Sequence, residues 1–314
     1  MRTFLFLIAT LWLCGPAVAQ HTATVTQTGD RSEAAVTQRG GSNTATVTQT
    51  NPNGDDVNAT VDQGGTGNTA TQTQTIADRF DGPVQLNATI HQQLGGNTAT
   101  QIQTFDAGLS STEMNATVAQ HGQSGTASQT QAFSGLLTLS DIGAVITQES
   151  GTGNSATQQQ AGAGKLVNST LYAEIMQRGD GGNSATQTQN ALSGASNTSL
   201  HALIDQTGSG NVATQHQSGL ALFGSADVTG SITQDGVGNV ATQVQVGGVS
   251  VSASVFQDGA TNQSYQTQLG GDLDSIVEQV GSYNLSIVTQ TGSGHTSVVT
   301  QNGSNNTATI TQSN

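Results

Sequence analysis

The chain has 314 residues, of which only 8% are charged and 4% aromatic, with forty glycines against three prolines. Globular domains usually carry about a quarter charged residues, and a chain dominated by Thr, Gln, Ser, Asn and Gly resembles a disordered polar polymer unless it shows a register. The formal net charge of −14 argues against nucleic acid and acidic membrane surfaces as partners and favours solubility during export.

Residues 1–19 read as a secretory signal. Arg2 supplies the positive end, Phe4 to Leu13 the apolar run and Ala17-Val18-Ala19 a small-residue cleavage site. The apolar run is too short to span a bilayer. Cys14 is the only cysteine and leaves with the leader, so the remaining chain, 20–314, is expected to lack disulfides and thiol metal sites.

From residue 21 onward one unit recurs. A half-unit, His21 to Gln27, is followed by eleven full units. The copy Gln206-Thr207-Gly208-Ser209-Gly210-Asn211-Val212-Ala213 closing on Gln217 shows its form, Q-x-G-x-x-N-x-A-x-x-x-Q. It reads as strand, tight turn, strand. The glycine stands where the turn needs a positive φ, and the asparagine closes the turn through its side chain. First strands end at Gln38, Gln63, Gln92, Gln120, Gln148, Gln177, Gln206, Gln234, Gln257, Gln279 and Gln301. The turns close on Asn43, Asn68, Asn97, Gly125, Asn154, Asn183, Asn211, Asn239, Asn262, Asn284 and Asn306. Second strands close on Gln49, Gln74, Gln103, Gln131, Gln217, Gln245, Gln268, Gln290 and Gln312.

The period is near 22 residues at both ends and near 28 or 29 in the middle. The extra residues fall between units, at Ile76–Leu86, Phe105–Met114, Ala132–Ser140 and Gly219–Ala226, and read as loops at one corner. Leu136 and Leu137 belong to one of these loops. A fixed period with insertions confined to one corner predicts a stacked solenoid. The fold expected is therefore all-β: a β-solenoid of about eleven stacked strand–turn–strand coils with amyloid-like cross-β spacing.

Period-two alternation assigns the faces. Two residues before each first-strand Gln stands a β-branched residue, from Val36 and Val61 through Ile175 to Val299. Two residues after the turn-closing position stands Ala or Ser, from Ala45 to Ala308. Two before the closing Gln stands another Gln from Gln72 to Gln266, replaced by Val47, Val288 and Ile310 at the ends. The interior expected is thin: one aliphatic column, one small-residue column and stacked amides. If each unit is one coil, identical amides lie about 4.8 Å apart, and each bonds the copy above and below. The Gln and Asn positions named above are thus the structural amide ladder and the candidate site.

This motif resembles the curlin repeat of bacterial curli, and the 22-residue period at both ends of the array fits it too. The resemblance implies a stacked subunit that polymerises outside the cell into amyloid fibres of biofilm matrix, with the Gln and Asn ladders as the amyloid core. It also implies partners: copies of the chain itself head to tail, other curlin-type subunits or a nucleator, an outer-membrane secretion pore and periplasmic helpers. Curlin units usually begin with Ser six residues before the first Gln. Here Ser32 matches, while Ile142, Leu171, Leu200, Val251, Leu273 and His295 occupy that place in other units.

Other sites read as bland. The six histidines, His21, His91, His121, His201, His216 and His295, occupy different repeat positions, so neither a metal site nor a catalytic one is expected. No phosphate cradle, cofactor or enzymatic constellation is indicated. Asp55, Asp56, Asp78 and Asp272 read as solvated charge that also deters stray edge pairing. Arg178-Gly179-Asp180 lies in a Q-x-G turn, and coincidence explains this adhesion tripeptide.

The outward threonines Thr69, Thr71, Thr73, Thr98, Thr100, Thr186, Thr188, Thr307, Thr309 and Thr311 form an array that an ice-binding solenoid could use. Val212, His216, Val240, Val244, Gln263, Tyr265, Leu285 and Ile287 interrupt it. The leading functional expectation is a secreted, self-assembling fibre subunit at the bacterial surface. The alternative is a monomeric binding solenoid, an adhesin or ice-binder, whose ends should carry polar caps. Only Ser313 and Asn314 follow Gln312.

Overall fold

A computed structural model of the chain describes residues 7–11, 20–52, 55–77, 84–108, 112–138, 140–191, 197–219 and 225–314. Every regular element among them is a β-strand and every strand pairing is parallel. From Thr22–Gly29 to Val240–Gly247 each strand pairs with the strand two along in sequence, so consecutive strands alternate between two columns. Beyond that, Val251–Ala260 pairs with Gln263–Ser282, that strand with Leu285–Ser304, and that with Thr307–Ser313. Ser32–Gln38 pairs with Asp56–Gln63, and that strand with Val84–Gln92. In the other column Thr44–Asn51 pairs with Thr69–Ile76, and that strand with Thr98–Gly108. Register follows the repeat: Val36 faces Val61 and Gln38 faces Gln63. A one-residue slip would turn every interior side chain outward, so the periodic burial of this pattern fixes the register.

Of the leader expected over 1–19, only the strand Leu7–Leu11 is described, pairing with Ala34–Gln38. The remainder, with Cys14 and the expected cleavage site, lies outside the described residues, as does Asp78.

The interior is thicker than expected. One cluster is the foreseen aliphatic and alanine pair of columns, with Val61, Ile90, Ile146 and Ile175 fully buried beside Ala70 and Ala99. A second cluster fills the corner between units, in the longer coils and on into the short coils of Val251 and Leu273. It contains Val57, Leu86, Met114, Ile142, Leu171, Leu200, Val228, Val251 and Leu273, the residues six before each first Gln. Ile76, Phe105 and Phe133 pack with them from two residues past the closing Gln. Apart from His295, the residues that depart from the curlin serine are therefore a second apolar column. A longer coil encloses a wider corner, and large side chains fill it because a void there would lose both transfer and packing energy.

The expected corner loops are also partly strand. Thr98–Gly108, Thr126–Thr138 and Ser155–Val167 continue past their closing glutamines and pair with one another. Leu136 and Leu137 thus lie in a paired strand, opposite Lys165 and Leu166, and are not loop residues. At the C-terminal end the corner carries no insertion, and Gln263–Ser282 and Leu285–Ser304 each run through it as one twenty-residue strand.

The turn between strands uses two positive-φ residues. The first is the glycine of the motif, such as Gly208 with φ +100°. The second directly precedes the turn-closing residue, as at Gly210 with φ +66°, and there Ser42, Ser124 (before Gly125), Thr261, Tyr283 and Asn305 also adopt positive φ. The two sites differ in surroundings. A Cβ on Gly208 would collide with the backbone carbonyl of Gly236 on the next coil, whereas a Cβ on Gly210 meets nothing within 4 Å. Gly208→Ala is therefore expected to cost about 3 kcal/mol or more, and Gly210→Ala about 1 kcal/mol from backbone strain alone. Guanidinium midpoints of the two variants check this; equal losses would refute the stacking constraint.

Candidate functional site

Alternation of inward and outward residues aims one amide of each first strand into the interior. These glutamines form a continuous ladder. Nε2 of Gln38 donates to Oε1 of Gln63 at 2.8 Å, Gln63 to Gln92, and so on through Gln120, Gln148, Gln177, Gln206, Gln234, Gln257 and Gln279 to Gln301. The closing glutamines form a second ladder. It runs from Gln27 through Gln49, Gln74, Gln103 and Gln131, then Gln217, Gln245, Gln268 and Gln290, to Gln312. Gln160 and Gln189, missing from the sequence-derived set, bridge Gln131 to Gln217. The third ladder runs from Gln72 through Gln101, Gln129, Gln158, Gln187, Gln215 and Gln243 to Gln266.

All three ladders point the same way, with donors toward the C-terminal end. Backbone carbonyls fix that direction. The second amide proton of Gln177 goes to the carbonyl of Ser155 at 3.0 Å, and that of Gln206 to Ser184 at 3.1 Å. A carbonyl only accepts, so an amide flip would set two acceptors face to face. An unpaired buried amide group costs roughly 1–3 kcal/mol, which each interior rung avoids.

The asparagines are tied differently. Asn211 does not pair with the side-chain amide of the next asparagine; its Nδ2 donates to Thr207 O at 2.9 Å in its own turn and to Gly236 O at 3.0 Å on the next coil. Its Oδ1 accepts the backbone N–H of Asn239 at 2.9 Å. The same N–H to Oδ1 link joins Asn43 to Asn68, Asn68 to Asn97, Asn154 to Asn183, Asn183 to Asn211, Asn239 to Asn262, Asn262 to Asn284 and Asn284 to Asn306. A side chain one methylene shorter than Gln reaches the main chain of the next coil instead of its amide. The expected amide-to-amide stacking of asparagine is corrected accordingly, with Asn306 to Asn284 at 3.0 Å as a direct contact at the end of the array. At Gly125 the N–H is held by Asn97, but no side chain continues the column upward.

The ladder ends are chemically distinct. Among the described residues Gln27 Oε1 has no partner, and neither has Gln72 Oε1, below which Val47 stands. At the other end of the third ladder, Gln266 Nε2 turns to Ser275 Oγ at 2.9 Å. The outermost rungs are less buried than their copies: Val25, Gln27, Ile310 and Gln312 are half-buried, whereas Val47 and Gln49 are fully buried. Asn314 hydrogen-bonds the backbone of Ser293 through both amide atoms, closing one corner of the last coil.

Two segments, 21–50 and 283–313, match the family model described as Curlin associated repeat. These two segments carry curlin repeats. No curated protein matches it. The matched curlin repeats are the two ends of the array, where the period is shortest. The longer central units place their Gln, Asn and Ala residues in the same columns as the matched repeats.

Outside the stacked interior the side chains are varied. Arg31–Asp56, Arg39–Asp62 and Arg178–Asp205 bridge successive coils at 2.8, 3.3 and 2.6 Å. Arg178 of the adhesion tripeptide is thus engaged within the stack. Burial, then the charge of Glu174 and its hydrogen bond, push the Tyr172 phenol above its ordinary pKa. Among the described residues no group of three or more His, Cys, Asp or Glu gathers as a ligand set, and no helix is long and apolar enough to cross a membrane.

Proposed function

We propose that the chain is a secreted, self-assembling structural subunit of curli-like extracellular fibres. In this reading residues 1–19 are removed as a leader, and 20–314 is the fibre-forming unit of biofilm matrix at the bacterial surface. The observation that carries it is the common polarity of the amide ladders. One end of the stack offers donors and strand edges; the other offers the unpaired acceptor of Gln27. Donor end on acceptor end is a head-to-tail contact that does not close, so it propagates as a fibre. Head-to-head contact would oppose like groups. The ladder residues are then the fibre core, and another curlin-type subunit or nucleator would present the same rungs as a template. A secretion pore and periplasmic helpers belong to the same reading.

The binding-solenoid alternative draws on the threonine face. That face is broken by exposed Ile102, Val212, Tyr265 and Ile287, which a flat ice-matching surface does not accommodate.

The test is thioflavin T fluorescence with electron microscopy on the chain from Gln20 onward, incubated alone. Expected are fibres after a lag, with the lag abolished by preformed fragments. A monomer that neither polymerises nor joins curlin fibres would overturn the proposal.

A further inference from the structure

Two of the six histidines meet on the outer surface, contrary to the scatter of their repeat positions. His91 is the outward residue before Gln92, and His121 follows Gln120 one coil above. The residue directly above His91 is Ala119, whose methyl leaves room for the His121 ring to lean over. The rings stand edge to face with centroids 5.2 Å apart. His91 Nδ1 and His121 Nε2 face each other at 3.4 Å.

That separation is long for an N–H···N hydrogen bond, since such bonds centre near ~3.0 Å. It fits another geometry. Two nitrogens each about 2.0–2.1 Å from one tetrahedral ion stand about 3.4 Å apart. The other nitrogen of His91 faces Asp62 Oδ2 at 3.7 Å, and Arg39 holds the second oxygen of Asp62 at 3.3 Å. At 3.7 Å the carboxylate makes an electrostatic contact, not a hydrogen bond, and that contact favours the proton on Nε2 and the lone pair on Nδ1, the tautomer that a metal at Nδ1 needs. The Gln93 amide lies at 3.3 Å from the same His91 Nε2, and a half-turn of that amide presents its oxygen to the ring proton.

We propose that His91 and His121 form a two-histidine site for a divalent first-row transition metal ion such as Zn²⁺ or Cu²⁺. Imidazole nitrogen suits these ions, and water completes the coordination. Asp62 is a positioning residue. The bound ion staples the coil of Val84–Gln92 to the coil of Thr112–Gln120.

The test is isothermal titration of the full chain with Zn²⁺, together with ¹⁵N spectra of the histidine rings. Expected is one equivalent bound, with shifts at Nδ1 of His91 and Nε2 of His121. His91→Ala and His121→Ala should each weaken binding at least about tenfold, a difference of roughly 1.4 kcal/mol, while His201→Ala and His216→Ala leave it unchanged. Ala119→Leu, which keeps both histidines but separates the rings, should weaken binding similarly. Circular dichroism identifies any variant that fails to fold. Absence of binding by the wild type, or binding that survives the double variant His91→Ala/His121→Ala, would overturn the site.

Discussion

Gln177→Glu should lower the stability of the stack by about 5 kcal/mol at neutral pH and by far less near pH 3.5. Gln177 is fully buried. Its Nε2 donates to Gln206 Oε1 at 2.9 Å and to Ser155 O at 3.0 Å, while its Oε1 accepts from Gln148 at 2.8 Å. A carboxylate keeps only the last contact and turns its charge toward two acceptors, so the expected cost is that of a buried, poorly paired charge. The protonated acid regains one donor and can restore the rung to Gln206. Burial raises the folded pKa of this glutamate above its unfolded value of about 4.3. The stability of the protonated form is therefore fully present below about pH 4 and is lost as pH rises through the folded pKa. Gln177→Leu should lose about 2–4 kcal/mol, independent of pH, from the contacts removed at Gln148, Ser155 and Gln206. Guanidinium midpoints at the two pH values decide it; a neutral-pH midpoint for the glutamate variant equal to wild type would show that the ladder does not need its donors.

Lysine at Val299 and Ile310 together should slow seeded elongation at least about tenfold. Both belong to the interior apolar cluster, Val299 buried at 5% exposure and Ile310 packed against it from the last strand. A coil added on that end would complete the burial of the charge placed at Ile310 and seal the one at the already buried Val299, and a cost above about 1.4 kcal/mol already corresponds to a tenfold change in rate. Leu136 and Leu137 are unsuitable comparators, because they lie in a paired strand. Leu94 and Val249 serve instead, at 52% and 55% exposure in a turn and a corner. Lysine at these two positions should leave elongation within about twofold, since an exposed charge loses little hydration. Equal slowing by both pairs would refute growth through the end rungs.

These expectations rest on two kinds of information. The sequence by itself determined the class of fold, the residues that stack and the faces they occupy. Each follows from a period: two along a strand, and 22 to 29 along the chain. It missed Gln160 and Gln189 as rungs, although their offsets match those of the other closing glutamines. Only the tertiary structure decided three further matters. The residues six before each first Gln became a second core, because strand extension enclosed a corner whose width no local pattern encodes. Asparagine proved to bind main chain, because side-chain reach is measured against the spacing of assembled coils. The direction of the amide ladders, and with it the difference between the two ends, was set by backbone carbonyls that face the glutamines from the opposite strand. An amide is nearly symmetric in shape, so a list of glutamines carries no polarity until a fixed acceptor stands beside each one.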